Sequence, residues 1–311
     1  MKTLFNKSGS NGSTELKILL GFLDVDIKYA NIKSDILSAT KEVKALVGKE
    51  VFDKAFDAYN SEDTTQEELL YYMRFPIAIN AYRMYAPNAD LAHTPNGRKM
   101  RVADYEKNAF EWMIDRDNEA LERKYYRALD DLLHYLEEAE LPEWKASDEY
   151  KNLQKSIFKT TEEFNYHFPI ESRLLLMRML PGINQCLNHE IKPRLGNQLN
   201  DLFAEGVPSD KEELIFNVKQ ACAYYALAWA LPRFSVRIFP EGVLQQYVTN
   251  TATTRGKKVP ELNEIAWAKQ SFEEDYKKAI ARIETILRSD LDQAKEVSLN
   301  DLISGSNFLS T

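Results

Sequence analysis

The chain carries the same pattern twice, and that limits what it can fold into more than any other feature. Residues 67–97 align with residues 212–242 at a constant offset of 145 without a gap. Identical pairs include Glu67/Glu212, Glu68/Glu213, Leu69/Leu214, Ala78/Ala223, Ala81/Ala226, Pro87/Pro232, Pro95/Pro240 and Gly97/Gly242, where about two matches are expected from average composition. With small insertions the match extends upstream to Gly48/Gly196 and downstream to Ile114/Ile265, Tyr125/Tyr276, Ala128/Ala279 and Leu136/Leu287. What repeats is a helix, an extended arm with a proline-glycine turn, and a second long helix, so each copy is the size of a small domain.

The spacing of apolar residues makes the chain mainly α, as two duplicated helical-bundle units, each with a projecting β-hairpin. The expected division is a flexible N-terminal arm over 1–14, a helical unit over 15–140 with a hairpin at 90–102, a second over 141–290 with a hairpin at 234–248, and a C-terminal tail over 291–311. Leu16 to Leu23 reads equally as a strand or a helical turn. Thr65-Gln66-Glu67-Glu68 and Asp210-Lys211-Glu212-Glu213 read as helix caps, which accounts for the paired carboxylates without invoking an acid and a base. Both capped helices are expected to stop at the matched prolines, Pro87 and Pro232, and Pro76 to kink the first. The closing helices are expected over Tyr105–Glu140 and Glu261–Arg288, with Phe110, Ile114, Leu121, Tyr125 and Leu129 facing inward in the first.

Each arm alternates apolar and polar residues around a turn, Pro95-Asn96-Gly97 in the first and Pro240-Glu241-Gly242 in the second. An isolated two-stranded hairpin is marginal in water, so each arm must pack on its own bundle or pair with another chain. His93, Arg98, Lys99 and Arg101 put a basic spot on the first. Phe234, Val236, Ile238, Phe239 and Val243 crowd apolar atoms onto the second, and Phe308 and Leu309 add two apolar residues to the tail. These are the candidate interface residues.

A net charge of −8 argues against a surface that binds phosphates, because nucleic-acid affinity rests on Lys and Arg. No apolar run has the length of a membrane span and the first residues lack a signal-peptide core, so a cytoplasmic protein is expected. Cys186 and Cys222 read as small core residues. Among the four histidines none pairs with another at metal-ligand spacing. Asp130-Asp131-Leu132-Leu133-His134 places carboxylates and an imidazole within about one helical turn, but the second copy has Ala281, Arg282 and Thr285 there, so a solvated helix face is expected. The sequence therefore calls for no catalytic residue, no metal site and no cofactor.

The order Ala39, Gly48, Glu67-Glu68-Leu69-Leu70, Ala78, Ala81, Thr94-Pro95-Asn96-Gly97-Arg98, then Leu132-Leu133-His134-Tyr135-Leu136-Glu137, resembles head-tail connector (adaptor) proteins of tailed bacteriophages. The whole chain is similar to an uncharacterised two-repeat family of Bacteroidetes phages and prophages, through Trp144, Ser172-Arg173, Pro193, Leu195-Gly196 and Phe239-Pro240-Glu241-Gly242-Val243. The resemblance implies a non-enzymatic virion protein of the neck, assembled in the bacterial host cytoplasm as a homo-oligomeric ring. Its partners would be the portal protein and tail or neck proteins, with DNA passing nearby without specific binding. The alternative is a cytoplasmic helical-repeat adaptor for protein–protein interaction.

Overall fold

The computed structural model describes residues 2–23, 27–95, 97–100, 109–196, 198–203, 211–234, 246–249, 255–258 and 262–304. Two compact units divide the chain. The first comprises Met1–Gln154, Ser172–Leu174 and Tyr247–Lys258, and the second Lys155–Glu171, Leu175–Gln246 and Val259–Thr311. The described residues are mainly helical, and no helix among them is long and apolar enough to cross a membrane.

In the first unit α1 (Gly12–Leu20), α2 (Tyr29–Val47), α3 (Lys49–Ser61) and α5 (Glu111–Glu138) surround α4 (Glu67–Ala89). Ile77, Ala78, Ile79, Asn80 and Ala81 are buried in succession, so the middle of α4 is enclosed on every side rather than along one stripe. Gly48 ends α2 with φ at 87°, a conformation that favours glycine. α9 (Arg173–Cys186), whose first two residues belong to the first unit and the rest to the second, runs through one π turn (Leu187–Ile191) into α10 (Lys192–Leu195) and ends at Gly196 with φ at 56°. The π turn precedes Pro193, which has no N–H to give to the carbonyl of residue 189 and whose ring would crowd it. The Lys192 amide instead reaches Leu187. In the second unit α12 (Glu212–Ala230) packs along α13 (Leu262–Ser304). In chain order the shorter helices are α6 (Pro142–Lys145), α7 (Asp148–Gln154) and α8 (Thr161–Asn165) before α9, and α11 (Gln198–Leu202) after α10.

Several expectations change. The N-terminal segment is not a loose arm: Leu4 and Phe5 are fully buried, the Lys7 amide donates to the Tyr59 hydroxyl at 3.0 Å, and the Gly12 amide to Asn6 Oδ1 at 3.0 Å. Leu16 belongs to a helix. The first cap is Asp63, which accepts from the Thr65 amide at 2.9 Å and its hydroxyl at 2.7 Å, so one 3-10 turn (Thr64–Gln66) precedes α4. Its supposed counterpart, Asp210, lies outside the described residues. Pro87 does not end α4, which runs to Ala89, whereas α12 ends at Ala230, before Pro232. Phe110 and Ile114 are 68% and 38% exposed, so burial along α5 begins only at Leu121. Finally α13 continues to Ser304, through most of the expected tail; no Gly or Pro interrupts residues 261–304.

Two short strand pairs complete the chain. β1 (Leu91–Thr94) and β2 (Gly97–Met100) are antiparallel, with Leu91 opposite Met100 and His93 opposite Arg98. β3 (Gln246–Thr249) pairs with β4 (Arg255–Lys258). The second pair is not the expected hairpin at 234–248. Its strands flank the threonine-rich stretch 250–254, while residues 235–245, with the Pro240-Glu241-Gly242 motif, lie outside the described residues. The extended Gln-Tyr-Val-Thr run favours strand through its aromatic and β-branched side chains.

Candidate functional site: a cleft in the second unit

The duplication allows one location to be compared in two versions. In the first unit α2, α4 and α5 hold a polar network. Buried Asn80 donates to Glu42 Oε2 at 2.8 Å, and the Tyr125 hydroxyl donates to the same oxygen at 3.0 Å. Arg83 donates to Asn80 Oδ1 at 3.0 Å, lies over the Tyr125 ring at 5.3 Å, and meets Glu122 at 3.4 Å. Burial, then the charge of Glu42, pushes the Tyr125 hydroxyl far above its ordinary range, so it stays a donor. Arg83 thereby fills the space between α4 and α5.

The second unit keeps one end of this network and loses the other. Glu190, carried on the π turn, takes the place of Glu42, and its bond to Tyr276 follows burial as a cause of that hydroxyl's raised pKa. Arg194 fixes Glu190 at 3.1 Å and reaches Glu284 at 3.1 Å. The residues aligned with Asn80, Arg83 and Met84 are Tyr225, Ala228 and Trp229. A long cation has become a methyl group, and a cleft of about 410 Å³ opens between α9, α12 and α13. Its floor is aromatic: Tyr225 meets Tyr276 edge-on at 5.4 Å, and Trp229 is held from behind by Gly182, where a Cβ would lie 3.0 Å from the indole. Its rim is cationic. Arg233 stacks on Trp229 at 4.8 Å, while Lys269 and Lys277 come from α13, the former paired with Glu273 at 3.2 Å. An aromatic floor with a basic rim suits an apolar or aromatic group flanked by carboxylates.

Of the interface residues expected from sequence, Phe234 touches one wall of this cleft without lining it: half-buried, it meets Trp229 edge-on at 5.7 Å. His93 and Arg98 stand opposite each other on the first strand pair, and Lys99 opposite Ala92. Arg101, Val236, Ile238, Phe239, Val243, Phe308 and Leu309 lie outside the described residues. The cleft itself was not anticipated. Its signal was present in the repeat alignment, as the pair of changes from Arg83 to Ala228 and from Asn80 to Tyr225.

The chemistry-bearing residues considered earlier have structural partners. Asp130 is not on a solvated face: it is partly buried and accepts from the Leu174 amide at 2.8 Å and the Ser172 hydroxyl at 3.1 Å, which caps α9. His134 is exposed beside Glu138 at 3.2 Å. Cys186 and Cys222 are buried and free, and burial, then Cys186 beside it, raises the Cys222 thiol. Among the described residues no group of three or more His, Cys, Asp or Glu is placed to hold a metal ion.

Fold and site together define a duplicated helical-bundle protein whose two units have diverged at one shared location. The chain belongs to a family of unknown function, DUF6712, whose model matches residues 28–153 and again 183–298. No curated protein and no solved structure matches it.

Proposed function

We propose that the chain is a structural component of the neck of a tailed bacteriophage, a head-tail connector that assembles into a ring below the portal and links the DNA-filled head to the tail. The observation that carries this reading is the apolar surface left bare where each long helix begins. Phe110, Trp112, Met113 and Ile114 are 68%, 48%, 45% and 38% exposed at the start of α5, and Leu262 and Trp267 are 85% and 71% exposed at the start of α13. Both stretches follow a strand pair. Bare apolar surface at the start of the long helix in both units suits a subunit that is buried in an assembly. The connector resemblance of the sequence supports the same reading. An acidic protein also suits a channel along which DNA slides without sticking.

Proteomic analysis and imaging of purified particles test this. The chain should be present in multiple copies between portal and tail, and its absence from intact particles would refute the assignment. A second reading, a cytoplasmic helical-repeat adaptor, is favoured by the cleft between α12 and α13, which suits a peptide. That reading expects the chain in infected cells and not in the particles.

A further inference from the structure

The cleft and the Phe110-Trp112-Met113 cluster at the start of α5 complement each other, and each occurs in only one of the two units among the described residues, the start of α13 baring Leu262 and Trp267 instead. In the first unit the cleft position is closed by Arg83. In the second, the residues aligned with Trp112 and Met113 are Asn263 and Glu264. The duplication has thus produced a socket on one unit and a plug on the other. Residues 109–117 are exposed on every face of the first turns of α5. There Phe110, Trp112 and Met113 are interleaved with Glu111, Asp115 and Asp117, against one cation, Arg116. The socket has the opposite character: the Trp229, Tyr225 and Tyr276 floor, and three cations against the single carboxylate of Glu273.

We propose that the socket in the second unit of one copy receives the start of α5 from the first unit of another copy. The indole of Trp112 enters against Trp229, and Glu111 and Asp115 meet the Lys269 and Lys277 rim. Apolar contact supplies the affinity and the opposite charges set orientation and encounter. A contact between two different surfaces is heterologous, so each copy offers one plug and one socket and the chain continues until a ring closes. This deepens the ring reading given above and rests on it.

The test uses the full-length protein in sedimentation velocity and light-scattering measurements at low and high salt. Two variants are made at exposed or half-exposed positions: a plug variant, Trp112→Ser with Met113→Ser, and a socket variant, Lys269→Glu with Lys277→Glu. Their helical signal and melting confirm folding. The wild type should self-associate, more weakly at high salt, and each variant alone should lose about tenfold or more in association constant. Mixed in equal amounts, the two variants should form a one-to-one dimer and nothing larger, because one intact plug and one intact socket remain between them. Adding Glu111→Lys and Asp115→Lys to the socket variant should restore association. A wild type that stays monomeric, variants that associate as it does, or a mixture that does not dimerise would each overturn the inference. Absence from particles with this association pattern intact removes only the neck reading. Presence in particles with unaffected variants removes only the plug and socket.

Discussion

Single side chains already separate structural from switching roles. His167 is partly buried among Phe158, at 5.9 Å, and Phe216, at 5.0 Å, with Nδ1 buried and without a hydrogen-bond partner among the described residues. Burial, then the charge of Lys219, depresses its pKa from 6.5 to about 4. Between those values the unfolded chain binds a proton that the folded chain refuses, so this residue's effect is to lower stability as pH falls from about 6.5 towards 4, with no further loss below. The group is partly solvated, so screening holds the effect to about 1–2 kcal/mol. Denaturant melts at pH 7 and pH 4.5 should show His167→Phe losing less stability on acidification than the wild type, and an equal loss would contradict the assignment. Asp130 offers a second check. Replacing it by Ala removes the acceptor that caps α9 and should cost about 1–2 kcal/mol, whereas a residue on a solvated face would cost almost nothing.

At the scale of elements, periodicity in the sequence located the long helices but misjudged their ends, because it reports burial and not helicity. Residues 291–304 lose their apolar spacing yet keep helix formers and no breaker, and the helix continues. Conversely Phe110 and Ile114 hold their place in the apolar stripe and are bare, because α5 has no buried residue before Leu121. Pro87 was read as a stop although the chain can carry a proline near a helix end. The cleft was hidden for another reason: it depends on a side chain that is absent, and single-residue patterns reveal what is present. Trp144 shows an element whose role its sequence did reveal only in part. Pro142 begins the four-residue helix α6, which lays the fully buried Trp144 beside α3, with Lys54 and Glu143 joined at 2.9 Å. Trp144→Ala should cost about 3–5 kcal/mol by leaving a cavity, read as a lowered midpoint in chemical unfolding. A loss below about 1 kcal/mol would show α6 to be a tether and not a clamp.

For the molecule as a whole, the repeat begins earlier than the matching sequence does. Phe5 and Phe158 are both buried, and each lies beneath a cation from the central helix of its unit: Arg74 at 4.9 Å over Phe5, and Lys219 at 5.7 Å over Phe158. Arg74 and Lys219 are aligned in the repeat. Each then pairs with a glutamate on the first helix of its own unit, Arg74 with Glu15 at 2.7 Å and Lys219 with Glu163 at 3.1 Å. The same aromatic–cation–carboxylate stack opens both units, although Leu4-Phe5-Asn6-Lys7 and Ile157-Phe158-Lys159-Thr160 share too little sequence to align by eye. The N-terminal residues are therefore the first layer of a core. Removing residues 2–8 takes Leu4 and Phe5 out of the first unit and strips the ring from a guanidinium whose Nε is already buried without a partner among the described residues. Large apolar truncations cost about 2–5 kcal/mol each when buried, so the deletion should cost several kcal/mol and speed amide exchange along α4, while α12 stays protected. A deletion that leaves exchange along α4 unchanged would return these residues to the role of a flexible arm.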